Sequence, residues 1–346
     1  MRFTVELPKK IDDELAAAVE DQGVYAAPEV SRVTVNAARD AIEVECSGGD
    51  EVKLRAVVEG FVTDFVKRFR RVAGKVYARH QRRDAAPLET RVFAELVARG
   101  WAFQLGAGQV GLAGPALNAA RALDARFARL GTELFGATEQ LYPTLIPSDV
   151  LRRCEYFSSF PHLVSLVSHF VEDYEVLKKV RAANAEATEL VIPDRADLAL
   201  PEAAFTPATC YHCYQGLEGK TLAAPGRVYT AVGRCARYES NNMIGLDRLW
   251  EFTMREIIFV GAEEWVAARR QESLEATVKL LAEWDIDCTL ETANDPFFAP
   301  MYATKTFWQS QGDLKYEMRL AVEPSAEGKP RTISAGSCNL HEGFFG

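Results

Sequence analysis

The sequence lacks long apolar runs, a basic charge excess and an even set of cysteines. It contains no run of 18 apolar residues, and the opening MRFTVELPKKIDDEL lacks the apolar stretch of a signal peptide. The formal net charge of −9 disfavours broad attraction to nucleic acid. Seven scattered cysteines argue against a disulfide framework and suit a reducing compartment. We therefore expect a soluble cytoplasmic protein with no membrane partner, whose cysteines are free thiols or metal ligands.

The length predicts two domains. With 346 residues and 48% hydrophobic content, the chain can bury a large core, and a domain typically has about 100–200 residues. Residues 1–88 are predicted to form a small α+β module: RFTVEL alternates as a strand, residues 11–20 form a helix, SRVTVNA and AIEVECS form a hairpin, and residues 50–83 are mostly helical. Residues 84–87, Asp-Ala-Ala-Pro, mark the boundary with a second domain at 89–346.

One segment departs from the acidic balance. Residues 67–83, KRFRRVAGKVYARHQRR, are predicted to lie in a helix and carry Lys67, Arg68, Arg70, Arg71, Lys75, Arg79, Arg82 and Arg83. A basic helix face would dock an acidic partner or touch an RNA backbone. The alternative is a solvated surface face.

The segment GRCARYESNNMIGLDRLWEFTMREIIFVG, residues 233–261, predicts a nucleotide site. Apolar runs flank a polar loop at residues 240–247, a pattern that predicts two antiparallel strands joined by a hairpin. Arg237, beside Glu239, would bridge the α-phosphate of ATP and an incoming carboxylate. Arg248 would meet the distal phosphates, and the ring of Phe252 would stack on adenine. This is the chemistry of adenylate formation.

These residues resemble motif 2 of the class II aminoacyl-tRNA synthetases. Together with ATCYHCY (208–214), FTMREIIFVG (252–261), ANDPFF (293–298) and LKYEMRL (314–320), they resemble the seryl-tRNA-synthetase-like amino acid:[carrier protein] ligases over residues 115–346. The resemblance implies an α+β fold, an antiparallel sheet flanked by helices. It also implies activation of a small amino acid with ATP, transfer to the phosphopantetheine thiol of an acyl carrier protein, and a homodimer.

The dimer expectation rests on a motif 1 resemblance. A helix over residues 115–135, with a predicted buried stripe at Leu117, Leu123, Phe127, Leu130 and Leu134, precedes a short strand and Pro143. In the resembling enzymes this helix, strand and proline form the dimer interface. From the residues alone, Pro143 and Pro147 only bracket a short edge strand.

The resemblance also implies two metal sites. Cys210 and Glu256 would bind a zinc ion at the floor of the amino-acid pocket, with a third ligand near motif 3, and an open zinc position would accept the substrate amine. Glu317 and Ser337 would hold Mg²⁺. The alternatives are a salt bridge from Glu256 to Arg255 or Arg237, and pairing of Glu317 with Lys315 and Arg319.

The sequence offers further candidates for the remaining zinc ligands. Cys210 and Cys213 form a Cys-x-x-Cys, but Tyr211, Tyr214 and Pro207 indicate a strand or loop, which disfavours a redox pair, and no second such motif completes a zinc ribbon. Cys213 remains an auxiliary ligand, and Cys338 or His341 would be substitutes for the third.

The sequence departs from the family in lacking motif 3, whose arginine binds ATP. Either the sequence is truncated, or another polypeptide completes the site, or the protein has lost the reaction. Three hypotheses follow: an enzyme that activates a small amino acid and loads it on a carrier protein, a tRNA-charging relative that uses residues 1–88 for recognition, or a catalytically silent subunit. The acidic charge and the absence of a tRNA-binding arm favour the first.

Overall fold

Residues 1–69, 75–83, 92–239, 243, 245–293, 295, 313–323 and 331–341 are described in a computed structural model of the protein. The architecture is α+β with largely antiparallel sheets, which confirms the predicted class. Among the helices in these ranges, none combines the length and the apolar character that a membrane crossing requires.

The N-terminal module is a three-stranded antiparallel sheet packed against two helices. Its elements are β1 Arg2–Glu6, α1 Asp13–Gly23, β2 Val30–Val35, β3 Ala41–Cys46 and α2 Glu51–Arg68, with strand order β1-β3-β2. The period-2 pattern of β1 buries Phe3 and Val5 and exposes the residues between them. Ile42 and Val44 of β3 are fully buried against the helices. The predicted strand, helix and hairpin are confirmed up to the end of α2.

Residues 67–83 do not form the predicted basic helix. Helix α2 ends at Arg68, and strand β4, Val76–His80, pairs antiparallel with β13, Cys288–Thr292, in a C-terminal sheet. The ring of Tyr77 in β4 packs edge-on against Tyr316 of that sheet at 5.7 Å. Pairing with β13 thus decides the conformation of this segment, whose many basic residues are not typical of a strand. Arg70 and Arg71 lie outside the described residues.

Carboxylates of the C-terminal part neutralise several of these basic side chains. Lys75 Nζ lies 2.8 Å from Asp313 Oδ2, and Arg82 Nε lies 3.1 Å from Asp287 Oδ2. Arg83 pairs with Asp285 at 3.2 Å. The basic residues therefore hold β4 in place instead of forming one docking face. The domain boundary stays a prediction, because residues 84–91 lie outside the described ranges and β4, which precedes it, belongs to the C-terminal sheet.

The rest of the chain builds the sheets that surround the candidate site. Its elements are α3 Val92–Ala98, β5 Ala102–Gly106, β6 Gln109–Leu112, α4 Gly114–Arg129, β7 Thr138–Gln140, β8 Leu145–Pro147, α5 Ser148–Arg153, α6 Tyr156–Ser159, β9 Leu166–Val167, α7 Tyr174–Asn184, β10 Ala203–Phe205, α8 Cys210–Leu217, β11 Gly226–Ala236, β12 Glu251–Gly261, α9 Glu263–Glu283, β13, β14 Lys315–Glu323 and β15 Arg331–Asn339. The sheets have the orders β8-β10-β9, β12-β11-β7 and β15-β14-β13-β4, and β5 pairs with β6.

Helix α4 begins at the predicted proline but does not bury the predicted stripe. It continues through a π-helical turn at Leu130–Leu134, and no residue of α4, which is described throughout, is buried. Leu123 is 46% exposed and Leu134 is 56% exposed. Within a single chain the apolar side of this helix is only partly covered, because Phe127 packs edge-on against Trp284 while Leu123 and Leu134 stay exposed.

Candidate active site

The predicted hairpin is present as β11 and β12. These strands pair antiparallel over eleven residues each, from Gly226 opposite Gly261 to Ala236 opposite Glu251. Glycine is required at the open end of the pair, because a Cβ on Gly261 would collide with the carbonyl oxygen of Pro225. Residues 240–242 and 244 of the predicted polar loop lie outside the described ranges. The hairpin brings Arg237 to the end of β11 and Phe252 to the start of β12.

The predicted site residues share one cleft. A cleft of about 3920 Å³ is lined by Cys210, Arg237, Glu239, Arg248, Phe252, Glu256, Glu317 and Ser337. These residues come from α8, the hairpin and the β14–β15 pair, which are distant in sequence. Their assembly in one place was predicted, while the role of each residue stays a prediction.

Arg237 is held in a fixed position by two contacts. Its Nε donates a hydrogen bond to the carbonyl oxygen of Pro207 at 2.9 Å, and its guanidinium lies 5.4 Å from the centre of the Phe252 ring. Burial opposes its charge, but neighbouring groups led by Tyr156 and Cys235 outweigh burial and raise the pKa of Arg237. The side chain is therefore a permanent cation placed beside an aromatic ring.

Arg248 joins the hairpin to the N-terminal module. Its Nη1 lies 3.1 Å from Glu239 Oε2 and 2.9 Å from Asp21 Oδ1, at the end of α1. Burial raises the pKa of Glu239, while Arg248 opposes that shift. Glu239 and Arg248 lie close together because the hairpin brings the end of β11 near the start of β12. Asp21 was not identified from the sequence, because nothing local links residues 227 positions apart.

Cys210 opens helix α8, so the expectation of a strand or loop at the Cys-x-x-Cys is wrong. The aromatic neighbours that suggested a strand pack inside the fold instead, Tyr211 edge-on against Tyr156 at 5.9 Å. Helix α8 begins beside the Glu256 carboxyl group, where burial raises the pKa of Glu256 while the Cys210 thiol and the main-chain groups of Cys210 and Thr209 lower it.

Burial raises the pKa of both Cys210 and Glu256. Burial raises the pKa of Cys210 well above its ordinary value, and Glu256 raises it further. Burial also raises the pKa of Glu256, against the hydrogen bonds from Cys210 and Thr209. The Oε2 atom of Glu256 is buried and has no hydrogen-bond partner. A thiol and a carboxylate with an unsatisfied oxygen are a donor set suited to a zinc ion.

Arg255 does not form the salt bridge with Glu256 that was the alternative to a zinc site. Arg255 points to the other side of the strand, where its Nη2 lies 3.0 Å from Asp124 Oδ2 and its Nη1 lies 3.2 Å from Glu139 Oε1. Alternation along β12 places Arg255 and Glu256 on opposite faces. Glu256 therefore faces the cleft and α8, where it meets Cys210.

The described residues supply two of the expected zinc ligands together. No group of three His, Cys, Asp or Glu side chains with metal-binding geometry occurs among them. Cys213 is buried near Tyr142, and Cys338 packs in the apolar cluster beneath α9. The His341 ring lies edge-on to Tyr214 at 6.5 Å.

Glu317 and Ser337 are direct cross-strand partners on β14 and β15. Glu317 Oε1 lies 2.8 Å from Lys315 Nζ, and Arg319 Nη2 lies 3.4 Å from Glu317 Oε2, as the ion-pair alternative expected. Lys315 is buried and also meets Asp295 at 2.6 Å. Asn339 donates to Ser337 Oγ at 3.0 Å. A magnesium ion on this carboxylate would have to displace the Lys315 ammonium, so the residues as arranged do not fit it.

The comparisons with known proteins were made on sequence and on structure. No family model matches the chain. The type-2 serine–tRNA ligase of Methanothermobacter thermautotrophicus is 27% identical over 300 residues, covering 84% of this chain and 57% of that protein. Amino acid–[acyl-carrier-protein] ligase 2 of Bradyrhizobium diazoefficiens is 28% identical over 209 residues, 59% of each chain. The type-2 serine–tRNA ligase of Methanocaldococcus jannaschii is 27% identical over 229 residues, 65% of this chain and 44% of that protein.

One solved structure extends the similarity over the whole described fold. The seryl-tRNA synthetase of M. kandleri, crystallised with A. aeolicus tRNASec, matches with a TM-score of 0.67 and 21% identity, covering 99% of this chain and 68% of that one. The fold likeness thus includes the N-terminal module. The chain spans about half the length of the curated relatives it matches. It is similar in sequence to type-2 serine–tRNA ligases and to an amino acid–[acyl-carrier-protein] ligase, and it has the fold of a class II aminoacyl-tRNA synthetase.

Proposed function

We propose that the cleft activates a small amino acid with ATP and that the product is transferred to the phosphopantetheine thiol of a carrier protein. The observation that carries this proposal is the placement of Arg237, Arg248 and Phe252 in one cleft with the Cys210 and Glu256 pair. Two guanidinium groups and a ring suit a nucleoside triphosphate. The thiol and carboxylate suit the amine end of the second substrate.

The chemistry of the first step assigns a task to each side chain. A carboxylate oxygen of the amino acid attacks the α-phosphorus, the bond to the bridging oxygen of pyrophosphate breaks, and an aminoacyl-adenylate forms. Arg237 neutralises charge that accumulates on the phosphoryl oxygens, and its contact with the Pro207 carbonyl fixes its direction in advance. Arg248 meets the β- and γ-phosphates, and Phe252 stacks on adenine. In the second step the carrier thiolate displaces AMP.

The zinc proposal rests on the donors beside the amino-acid end of the cleft. Cys210 and Glu256 would hold the ion, and the unsatisfied Oε2 of Glu256 is the atom that gains a partner. A zinc ion there supplies an open coordination position for a neutral amine. Glu317 keeps its ion pairs with Lys315 and Arg319 and serves to orient Lys315 in the cleft.

The acceptor has two candidates with separate support. The acidic net charge of −9 and the similarity to a carrier-protein ligase favour a carrier thiol. The alternative is tRNA, which is favoured by one observation: the similarity to tRNA ligases spans 84% of this chain and so reaches into the N-terminal module. In that case the module would contact RNA.

Pyrophosphate exchange separates these possibilities. Incorporation of labelled pyrophosphate into ATP is measured with glycine, alanine, serine, threonine and cysteine, with zinc quantified in the same sample. A pocket floored by a metal separates substrates that differ by one methylene by only about 1–3 kcal/mol, so more than one amino acid should support exchange. Exchange followed by transfer to a phosphopantetheine carrier supports the proposal, and transfer only to tRNA supports the alternative. Absence of exchange with every amino acid would mean a silent subunit.

We also propose that the protein is a homodimer. Helix α4 and the segment that leads to β8 expose Leu134 at 56%, Leu141 at 85% and Leu145 at 42%. Exposed apolar groups concentrated in this way are typical of an interface.

The dimer is testable by changing one exposed leucine. Replacing Leu141 with aspartate would place a charge in the interface, and we expect the sedimentation mass to fall from dimer to monomer at micromolar concentration. Val52 on the N-terminal module is 78% exposed and offers a matched control, since Val52→Asp should leave the mass unchanged. A parent protein that sediments as a monomer would refute the dimer.

A further inference from the structure

The end of helix α1 reaches into the cleft from the N-terminal module. Asp21 Oδ1 lies 2.9 Å from Arg248 Nη1, and this same nitrogen lies 3.1 Å from Glu239 Oε2. The side chains of Asp21 and Arg248 are 30% and 46% exposed, so the pair stands at the cleft wall within reach of solvent. Asp21 and Tyr25 both line the cleft.

A second contact, between uncharged rings, holds the end of helix α1 against the rest of the fold. The Tyr25 ring meets the ring of His162 edge-on, with centroids 4.9 Å apart. Burial lowers the pKa of His162 to about 4, so the imidazole is neutral near pH 7. The position of Asp21 therefore does not depend on its ion pair alone.

Resting on the proposed function, we propose that Asp21 competes with the distal phosphates of ATP for Arg248, so that the N-terminal module restrains nucleotide binding. The Nη1 group of Arg248 already binds the carboxylates of Asp21 and Glu239. The distal phosphates of ATP would bind the same guanidinium group. A triphosphate that binds at Nη1 must therefore break the 2.9 Å contact or move Arg248 away from Asp21. A ligand that moves the module away from the cleft would therefore strengthen ATP binding. By linkage, ATP would strengthen the binding of that ligand by the same factor.

The test compares ATP and AMP binding by titration calorimetry in the intact protein. Asp21→Asn keeps the shape and removes the charge, and we expect ATP to bind about two- to fivefold more tightly, the range of a partly exposed ion pair. AMP lacks the distal phosphates, so its affinity should not change. Asp13→Asn is the matched control, because Asp13 lies on the same helix, is 81% exposed and pairs with Arg39. Its affinity for ATP should equal that of the parent.

A double-mutant cycle checks that the effect passes through Arg248. In an Arg248→Gln background, Asp21→Asn should leave ATP affinity unchanged. Equal ATP affinity in the parent and in Asp21→Asn would overturn the restraint while leaving the proposed function standing. A parallel change in AMP affinity would show a distorted cleft and would also overturn it. Absence of ATP binding by the parent would remove the proposed function and this inference together.

Discussion

Arg237→Ala is expected to lower amino-acid-dependent pyrophosphate exchange by about 100- to 1000-fold, the loss that follows removal of one preorganised donor to a developing oxyanion. The guanidinium is fixed by the Pro207 carbonyl and the Phe252 ring, so it needs no rearrangement when charge forms on the α-phosphate. The loss should appear mainly in kcat, because the charge that Arg237 neutralises grows in the transition state.

The matched control for Arg237 lies on β11, which ends just before Arg237. Arg234 is exposed and its Nε lies 2.9 Å from Glu251 Oε1, away from the site residues. Arg234→Ala should keep exchange near the parent rate. The free energy of unfolding of Arg237→Ala should fall by only about 1 kcal/mol, one hydrogen bond, so that the loss of activity is not a loss of folding. Exchange within twofold of the parent would remove Arg237 from the mechanism.

Cys210→Ser is expected to weaken zinc binding by more than about 100-fold and to lower exchange in parallel. A serine hydroxyl does not ionise near neutral pH and is a poor zinc ligand, whereas a thiolate is a strong one. In the structure the thiol lies beside Glu256, so the change leaves that carboxyl group with a polar neighbour of similar shape. Metal content after dialysis against a chelator, followed by elemental analysis, gives the measurement.

Cys213 is the control for the zinc prediction. It lies one turn further along α8 and is buried near Tyr142. Cys213→Ser should retain zinc and exchange. If Cys213→Ser lost the metal and Cys210→Ser retained it, the zinc assignment would be wrong.

The sequence predicted those parts of the fold whose patterns are local. Alternating apolar residues predicted β1 and the β2–β3 hairpin, and the apolar runs around a polar loop predicted β11 and β12. The positions of Arg237 and Phe252 followed from the hairpin, because residues at facing ends of paired strands lie together. The local sequence pattern was therefore sufficient to predict where Arg237 and Phe252 lie relative to each other.

The failures occurred where tertiary contacts decided the outcome. Residues 67–83 read as a basic helix, but β13 pairs with Val76–His80 and makes it a strand. The aromatic residues around Cys210 suggested a strand, but they pack inside the fold and the segment is a helix. The Asp21 contact to Arg248 joins segments that share no sequence signal. The apolar stripe of α4 was visible, but the described residues cover it only in part, because Phe127 packs against Trp284 while Leu123 stays exposed.

The central claim is that this cleft brings ATP and an amino acid together, and a stable aminoacyl-adenylate analogue tests it most directly. An aminoacyl-sulfamoyl adenosine carries both substrate halves in one molecule and needs no catalysis. By titration calorimetry we expect it to bind at least about 100-fold more tightly than ATP, because analogues of reaction intermediates gain from both halves of the site. An analogue that binds no more tightly than ATP or than free adenosine would contradict the account.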